Sequence, residues 1–444
     1  MLNRKRVLLF IGIGATAVIA LLFKPVVDGD GVGYFSYLHA VVVDHNLDFA
    51  NEYAAARAGG ASVYPVYLET RTPTGLLANF YPVGSALLAL PFYLIALAVH
   101  PDGQHVFGPP FTWAFALASL FYGLLALAIC FRLTRSPVAV AAAATTTPFA
   151  FYMLYSPSYS HTFSAFAVSL FVWAWLSGRG PVALGLLVGL MALVRPQDGL
   201  LGAIALLEAR RWGWRTLLLV PAAAVVFLPQ VAVDYVVWGG PLPHGPPEGF
   251  DIIPGHYPNV LFSTFNGLFT WHPAWLLAAV GFLFVRNRKL QVAAAYALLV
   301  ETLINGAVGD WAGGFAFGGR RFLDLLPFFT IGIAALAERV PAWLAWLATA
   351  ALAAWNVVLV ANLIYVNRTG SDKGLLMFTG QLGALRYVPR LFVQGYPVRA
   401  LVVGPFVHQP LDPVGGLIML VLIAALVTAS LLIATRPPVR LAST

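Results

Sequence analysis

The chain has 444 residues, of which 60% are hydrophobic and only 10% are charged, and its formal net charge is +8 at pH 7. Soluble domains carry about 25% charged residues, so most of the surface of this chain must face lipid. The basic residues stand singly or in pairs between apolar runs and form no stripe that could follow a phosphate backbone, which excludes nucleic acid as a partner. The single cysteine, Cys130, excludes an internal disulfide and a cysteine-based metal site.

Long apolar runs recur along the whole chain. A helix needs about 20 apolar residues to cross about 30 Å of hydrocarbon, and on this criterion the sequence predicts an all-α polytopic membrane protein with about 12 transmembrane helices. The first run follows Arg4, Lys5 and Arg6 and has no small-residue cleavage site behind it, so we interpret it as an uncleaved span. The predicted spans are 7–27, 111–131, 137–154, 162–177, 181–195, 198–209, 216–236, 272–285, 290–308, 322–337, 341–365 and 413–434.

One further apolar run, 81–99, is ambiguous by hydropathy, and charge decides how we interpret it. If this run lies in the membrane surface, the cytoplasmic strips hold more than half of the 26 basic residues and only two acids, Glu208 and Glu338. Cytoplasmic loops are enriched in Lys and Arg, so this arrangement is the expected one. We therefore predict that 81–99 does not cross and that both termini are cytoplasmic.

The loops on the two sides are unequal in this topology. The first external loop, 28–110, is the longest and is expected to carry interfacial helices. The external segments 237–271 and 366–412 are substantial, and 309–321 is short but charged, whereas the internal loops have only a few residues. The sequence therefore predicts that the working surface is external.

Two carboxylates stand at the mouth of the first span, in the stretch Asp28-Gly29-Asp30-Gly31-Val32-Gly33. Glycines allow a sharp turn and a close approach of a ligand to the backbone. The stretch is no dinucleotide fingerprint, because no strand–helix unit surrounds it. The alternative interpretation is a polar helix end made of turn residues.

Other ionisable residues lie at span ends on the same predicted side. Ionisable groups at the bilayer centre cost roughly 2.5–3.5 kcal/mol each and usually mark function. Paired arginines on a glycine-rich turn at headgroup depth suit a lipid-linked phosphate, and the alternative is ion pairing with a nearby aspartate. The residues concerned are His161, Arg195, Asp198, Asp310, Arg320, Arg321 and Asp324.

The chain resembles the GT-C glycosyltransferases, relatives of the protein O-mannosyltransferases and of the aminoarabinose transferase, over roughly residues 5–340. The likeness is greatest to a bacterial branch and rests on a combination of motifs. Three motifs lie in the first external loop: Asp-Gly-Asp-Gly-x-Gly-Tyr at 28–34, Leu-Asp-Phe-x-Asn-Glu-Tyr at 47–53 and Tyr-Pro-x-Gly-x-x-Leu-Leu at 81–88. The others are Ser160-His161, Leu193-Val194-Arg195-Pro196-Gln197 and the segment from Trp311 to Arg320-Arg321.

This resemblance implies an inverting transfer of a sugar from a polyprenyl-phosphate donor on the external, periplasmic face of a bacterial inner membrane. It implies a catalytic module at 1–340, followed by C-terminal helices at 341–444. The base then falls on Asp28 or Asp30, and Asp28 is favoured because it directly follows a rigid helix. The phosphate ligands are Arg320, Arg321 and Arg195. The remaining residues expected to line the site are Tyr34, Glu52, Tyr81, His161 and Asp310.

Some consequences of the resemblance stay open at this point. The sequence identifies no certain cofactor and leaves metal dependence open, with a divalent cation (Mg²⁺ or Mn²⁺) held by Asp28 or Asp30 as one alternative. The partners are membrane lipids, the donor, and a glycan, lipid or protein acceptor. The family often places Lys or His near the start of the helix at 81–99, but Asn79-Phe80-Tyr81-Pro82 carries no charge here.

Simple chemistry agrees with this inventory of residues. An inverting transfer needs one base that holds the acceptor hydroxyl opposite the leaving group. A phosphate monoester can leave without a general acid if cations stabilise its added charge. Two other classes compete: a lipid-linked glycan flippase or polymerase, and a non-catalytic lipid-binding membrane scaffold. An aspartate and an arginine that share one cavity would favour the transferase.

Overall fold

The computed structural model describes residues 4–63, 69–101, 106–241, 248–314, 316–366, 380–403 and 411–436. Parts of the four predicted external segments lie outside these ranges, namely 64–68, 102–105, 242–247, 315, 367–379 and 404–410. Within the described residues the chain is helical, and its only β-pairing consists of two isolated bridges, Arg71 with Leu77 and Phe250 with Val308.

The first half of the chain contains the helices of the predicted first external loop and those that follow it. Helix α2 begins at Asp30, directly after the glycine turn, and α4 contains an internal proline, Pro91. The helices are α1 (Arg4–Leu22), α2 (Asp30–Val42), α3 (Ala50–Ala58), α4 (Gly84–Val99), α5 (Phe111–Thr134), α6 (Pro137–Thr145), α7 (His161–Leu176), α8 (Pro181–Val194), α9 (Ala209–Trp212) and α10 (Leu219–Trp238).

The second half alternates short and long helices. A 3₁₀ helix, Arg320–Leu325, leads into a buried helix and carries the paired arginines. The helices are α11 (Tyr257–Phe262), α12 (Leu268–Trp271), α13 (Ala274–Phe282), α14 (Arg288–Ala307), α15 (Leu326–Ala337), α16 (Ala342–Tyr365), α17 (Gln381–Leu385), α18 (Val388–Leu391), α19 (Tyr396–Val398) and α20 (Pro413–Ala434).

The prediction of an all-helical membrane protein is confirmed for the described residues, but the count of spans is not. Five helical stretches are long and apolar enough to cross a membrane, and four further apolar helices are shorter. The run predicted at 198–209 is a 3₁₀ helix, Pro196–Glu208, and the run predicted at 137–154 breaks after Thr145 and ends in a π turn, Phe151–Tyr155. Pro196 and Pro148 stand at these two breaks, where a missing backbone N–H disfavours a continuous α-helix.

The helices of the first loop pack onto the bundle through their own hydrophobic cluster. On α2, Phe35 meets Tyr93 and Tyr37 meets Phe49 in edge-on ring contacts, and all four side chains are buried. Buried apolar area stabilises by about 25 cal/mol per Å², so these rings anchor the loop firmly. The interpretation of 81–99 as a surface helix stays a prediction.

Helix α7 connects the two ends of the bundle. Its first residue, His161, lies among tyrosines at one end, while Trp175 and Leu176 line a cavity of about 720 Å³ at the other. Sixteen residues at 1.5 Å each separate these ends by about 24 Å. The far cavity is lined by segments predicted to be cytoplasmic, including Arg211, Lys289 and Arg339. The chemistry predicted from the sequence therefore lies at one end, and a group of basic residues from predicted cytoplasmic loops lies at the other.

Candidate functional site

The turn before α2 places the two aspartates in different environments. Gly29 has φ of 56°, a left-handed conformation that side chains disfavour, and the turn sends Asp28 and Asp30 in different directions. Oδ1 of Asp28 accepts hydrogen bonds from the backbone N–H groups of Gly29 (2.9 Å) and Ser62 (2.5 Å). Ser158 Oγ contacts the backbone N and O of Asp28, each at 3.1 Å. The carboxylate of Asp28 therefore fixes the loop.

Asp30 faces the bundle instead. Its Oδ2 lies 3.0 Å from Nη1 of Arg320, and its Oδ1 accepts a hydrogen bond of 3.3 Å from the hydroxyl of Tyr81. The side chains of Asp30 and Arg320 are only 17% and 12% exposed. A mostly buried ion pair with a tyrosine donor is a polar site that the fold builds from three distant segments.

The guanidinium of Arg320 is held among aromatic rings. Its Cζ lies 5.0 Å from the ring centroid of Tyr159, within cation–π distance. The neighbouring hydroxyl of Tyr152 accepts from the backbone N–H of Phe317, which ties the glycine-rich loop to the π turn (2.8 Å). This π turn and the Ser-Pro-Ser-Tyr segment after it therefore form the floor below the arginine.

Arg321, Asp310 and Arg195 form a second layer beside this pair. Arg321 donates from Nη1 to the backbone O of Asp310 (2.8 Å) and lies 3.4 Å from its Oδ2. Arg195 donates from Nη1 to the backbone O of Arg321 (3.2 Å). The amide oxygen of Gln197, with the amide turned to suit its neighbours, accepts from Nε and Nη2 of Arg195 at 3.0 and 2.6 Å. Arg321 and Arg195 are therefore paired with neighbouring groups of the protein, and they also lie near the Asp30–Arg320 pair.

Tyr34 extends the site along α2. Its hydroxyl donates to Ser160 Oγ (3.0 Å), and its ring lies 5.0 Å from that of Tyr81. Burial, with a smaller contribution from Asp30, raises the pKa of Tyr34 to about 12, against the opposing effects of Ser160, Arg195 and Arg320. Its phenol is therefore a neutral hydrogen-bond donor throughout the working pH range.

His161 is brought to the same region but makes no polar contact with Asp30. Its ring meets those of Tyr152 (4.7 Å) and Tyr159 (6.1 Å). Among the described residues, no hydrogen-bond partner is found for its buried Nδ1. Arg320 lies against the same Tyr159 ring, so His161 borders the arginine through the aromatic floor.

Glu52 lies elsewhere. It is fully buried, and its Oε1 lies 2.8 Å from Nδ1 of His39, which also lies 3.2 Å from Oδ2 of Asp44. Nine residues separate His39 from Asp30 on α2, about 13 Å along the helix. Burial raises the pKa of Glu52, and the hydrogen bond from His39 opposes that effect. Glu52 therefore fastens α3 to α2 and is not brought to the Asp30 pair.

Sequence reasoning singled out Asp198 and Asp324 but missed Glu301, which joins them in a second carboxylate group near Arg195. Carboxylate oxygens of Asp198, Glu301 and Asp324 lie within 4.8 Å of one another, and all three residues are buried. Ser164 donates to Oδ2 of Asp198, and Asn305 donates to Oε2 of Glu301 (3.0 Å). Glu301 stands within a predicted span, and that position alone was a sufficient signal of function or pairing.

A divalent cation at Asp28 or Asp30 stays a prediction, and other side chains of the protein offer candidate metal sites. Within the described parts of the chain, two groups could hold a metal ion: His39 with Asp44 and Glu52, and the buried acids just described. Neither group includes Asp28 or Asp30. Asp30 faces an arginine, whose charge opposes a second cation. No cofactor is established, and the chemistry considered below uses side chains alone.

Fold and site together define a helical membrane protein with an acid–arginine site at one end of its bundle. No protein-family model matches the chain, and no curated protein matches it in sequence. Two crystal structures of ArnT from Cupriavidus metallidurans, one in the apo state and one bound to undecaprenyl phosphate, are similar to it, each with a TM-score of 0.49 and 14% identity. The matches cover 97% and 96% of this chain and 76% of each ArnT chain. ArnT is an aminoarabinose transferase of the GT-C class, the class that the sequence motifs resemble.

Proposed function

We propose that this protein is an inverting glycosyltransferase that moves a sugar from a polyprenyl-phosphate donor to an acceptor hydroxyl on the external side of the membrane. The observation that carries the proposal is the pair formed by Asp30 and Arg320, with Arg321 next to it. A base and a phosphate-binding cation then stand side by side at the end of a helix bundle, where a lipid-linked phosphate is found.

Each group has a definite task in such a transfer. Asp30 takes the proton of the acceptor hydroxyl while the acceptor oxygen forms a bond to the anomeric carbon. The bond from that carbon to the donor phosphate oxygen breaks, and its electron pair leaves with the polyprenyl phosphate. Arg320 and Arg321 stabilise the charge that the phosphate gains. Asp30 afterwards returns its proton to water.

The contacts favour Asp30 over Asp28 as the base, although the sequence alone favours Asp28. The Oδ1 atom of Asp28 already accepts from two backbone N–H groups, and the residue is exposed. The carboxylate of Asp30 is mostly buried beside the cation that a donor phosphate would occupy. When a phosphate binds Arg320, the carboxylate of Asp30 is released to accept a proton.

The distribution of charge supports the external side for this site. The opposite end of the bundle holds Arg211, Arg286, Lys289 and Arg339 around one cavity. Short cytoplasmic loops are enriched in Lys and Arg. We therefore place that end in the cytoplasm, with the Asp30 pair on the external face of a bacterial inner membrane.

The experiment that tests the function is transfer of radiolabelled sugar from undecaprenyl-phosphate donors, with membranes that supply the acceptor. Asp30→Asn keeps size and hydrogen bonding but removes basicity, so we expect a loss of rate of about 10²–10⁴-fold with donor binding intact. Asp28→Asn keeps an oxygen for the amides of Gly29 and Ser62 and should lose much less. Asp48→Asn is the matched control, because Asp48 is an exposed aspartate in the same loop.

The outcomes separate the candidate functions. If Asp28→Asn lost transfer activity while Asp30→Asn kept it, the transferase proposal would stand and Asp28 would be the base. Normal turnover in both variants would remove transfer chemistry from this turn. The flippase or polymerase would then be the better account, since it needs external cations but no base.

A further inference from the structure

We propose that a polar cavity beside the Asp30 pair binds the sugar of the donor, and that Asp234 is the residue in it that selects the sugar. This inference rests on the proposed function and names a site for the part of the substrate that the Asp30 pair does not contact. Asp234 lies on α10, in the apolar stretch Val231-Ala232-Val233-Asp234, and has no role in the chemistry described above.

The cavity has the size and lining of a small-molecule site. Its volume is about 570 Å³, within the range of about 300–1,000 Å³ of ligand pockets. Its wall combines aromatic rings with a few polar groups that converge from five segments of the chain. The residues that the argument uses are Phe80, Tyr81, Gln230, Asp234, Trp238 and Arg321.

Asp234 is a buried carboxylate with one oxygen unused. It is only 3% exposed, and its Oδ1 accepts a hydrogen bond of 3.0 Å from Nε2 of Gln230. Within the described residues, no hydrogen-bond partner is found for its buried Oδ2. An unsatisfied buried polar group is costly, and more so when it is charged. A carboxylate kept in this state on a cavity wall is suited to accept hydrogen bonds from sugar hydroxyls.

The apolar part of the cavity wall includes Trp238, which lies one helical turn after Asp234 on α10. Its ring packs at 5.1 Å against that of Phe80, and both residues line the cavity. A sugar ring has an apolar face of C–H groups and a rim of hydroxyls, so it suits an aromatic wall with a few placed polar groups. Trp238 would cover the face, and Asp234 would bind the rim.

The cavity adjoins the proposed phosphate site through two residues that line it. Tyr81 lines it and also donates to Oδ1 of Asp30, while Arg321 lines it and follows Arg320 in the chain. A donor with its phosphate at Arg320 and Arg321 and its sugar in the cavity places the anomeric carbon between them. The acceptor hydroxyl can then reach that carbon beside Asp30.

A purely structural role for Asp234 gives different expectations. Through Gln230, whose Oε1 accepts from the backbone N–H of Val83 (2.9 Å), Asp234 also supports the start of α4. Asp234→Asn keeps an oxygen at the position that accepts from Gln230 and changes mainly the group presented to the cavity. Asp234→Ala removes both the acceptor for Gln230 and the group proposed to bind the sugar.

The experiment compares the affinity of wild type and Asp234→Asn for bare undecaprenyl phosphate and for undecaprenyl phosphates that carry glucose, mannose or arabinose. Transfer kinetics with the same donors and thermal unfolding are measured alongside, with Asp48→Asn as control. We expect Asp234→Asn to raise KM for the preferred donor about tenfold or more and to alter the order of preference among sugars. Affinity for bare undecaprenyl phosphate and the unfolding temperature should stay as in wild type.

If Asp234→Asn lost affinity equally for bare and glycosylated lipid, the assignment of the cavity would be overturned. An unchanged KM and an unchanged order of sugars would overturn it as well. In both cases the wild-type protein would still transfer sugar, so the proposed function would stand. If transfer activity fell only in Asp234→Ala, together with the unfolding temperature, the assignment would also be overturned. Asp234 would then serve as structural support for α4. A wild-type protein that transfers none of the sugars would overturn both this inference and the proposed function.

Discussion

Arg320 and Asp30 form an ion pair of 3.0 Å between the segment that precedes α15 and the first residue of α2. The pair is mostly shielded from water, so its attraction is screened less than that of a surface pair. Removing one partner leaves a buried charge uncompensated, which costs more than the pair contributes. Under the proposed function a donor phosphate would offer Arg320 a second anion, and we expect the pair to open when the donor binds.

The first prediction concerns the shape of the cation. Arg320→Lys keeps the charge but loses the planar fork that binds a phosphate through two N–H groups and stacks on Tyr159. We expect kcat/KM for the donor to fall about 10–100-fold, because hydrogen bonds to charged groups contribute about 1.5–3 kcal/mol. The exposed pair of Arg57 with Glu69 supplies the control, Arg57→Lys, which should be neutral. Full activity of Arg320→Lys would contradict a phosphate role.

The second prediction concerns close packing at the glycine turn. A Cβ at Gly33 would overlap the ring of Tyr81, which donates to Asp30. Gly33→Ala should therefore displace Tyr81 and lower the transfer rate more than the stability. Gly14→Ala is the control, since a Cβ at Gly14 of α1 meets no atom within 4 Å. Equal activity of the two variants would show that the position of Tyr81 is unimportant.

The third prediction concerns orientation and uses cysteine labelling by a membrane-impermeant maleimide in intact cells. Cys130 is buried, and Cys130→Ala gives a background without thiols. Asp48→Cys should be labelled from outside, whereas Arg288→Cys, at the exposed start of α14, should react only after permeabilisation. Pro101→Cys, directly after α4, should behave as Asp48→Cys if α4 does not cross.

If Arg288→Cys were labelled from outside and Asp48→Cys only after permeabilisation, the orientation of the protein in the membrane would be opposite to the predicted one. Labelling of Pro101→Cys from the cytoplasmic side alone would make α4 a full span.

The fourth prediction concerns the attachment of the first loop. Glu52→Ala removes the partner of a buried histidine and should lower the free energy of unfolding by about 1–3 kcal/mol. Glu52→Gln can still accept a hydrogen bond from His39 and should lose less. Thermal unfolding in detergent measures the difference. If Glu52→Ala left stability unchanged but abolished transfer, Glu52 would belong to the site after all.

Much of the architecture was predictable from local sequence. Hydropathy is a property of each segment, so the membrane class and most helix positions follow from runs such as 111–131 and 413–434. The breaks near Pro196 and Pro148 also had a local signal, because proline disfavours a continuous α-helix, but the runs at 198–209 and 137–154 were predicted from hydropathy alone. Asp234 and Glu301 were overlooked inside predicted spans, although an ionisable residue there is itself a signal.

The sequence by itself determined that most acids and arginines stand at the ends of apolar runs, because a charged side chain is costly in hydrocarbon. Only the tertiary structure decided which acid meets which cation. Asp28 and Asp30 are two residues apart, yet the left-handed turn at Gly29 directs one to the amides of Gly29 and Ser62 and the other to Arg320. The placement of a side chain depends on contacts between segments that are remote in sequence, and no local pattern encodes them.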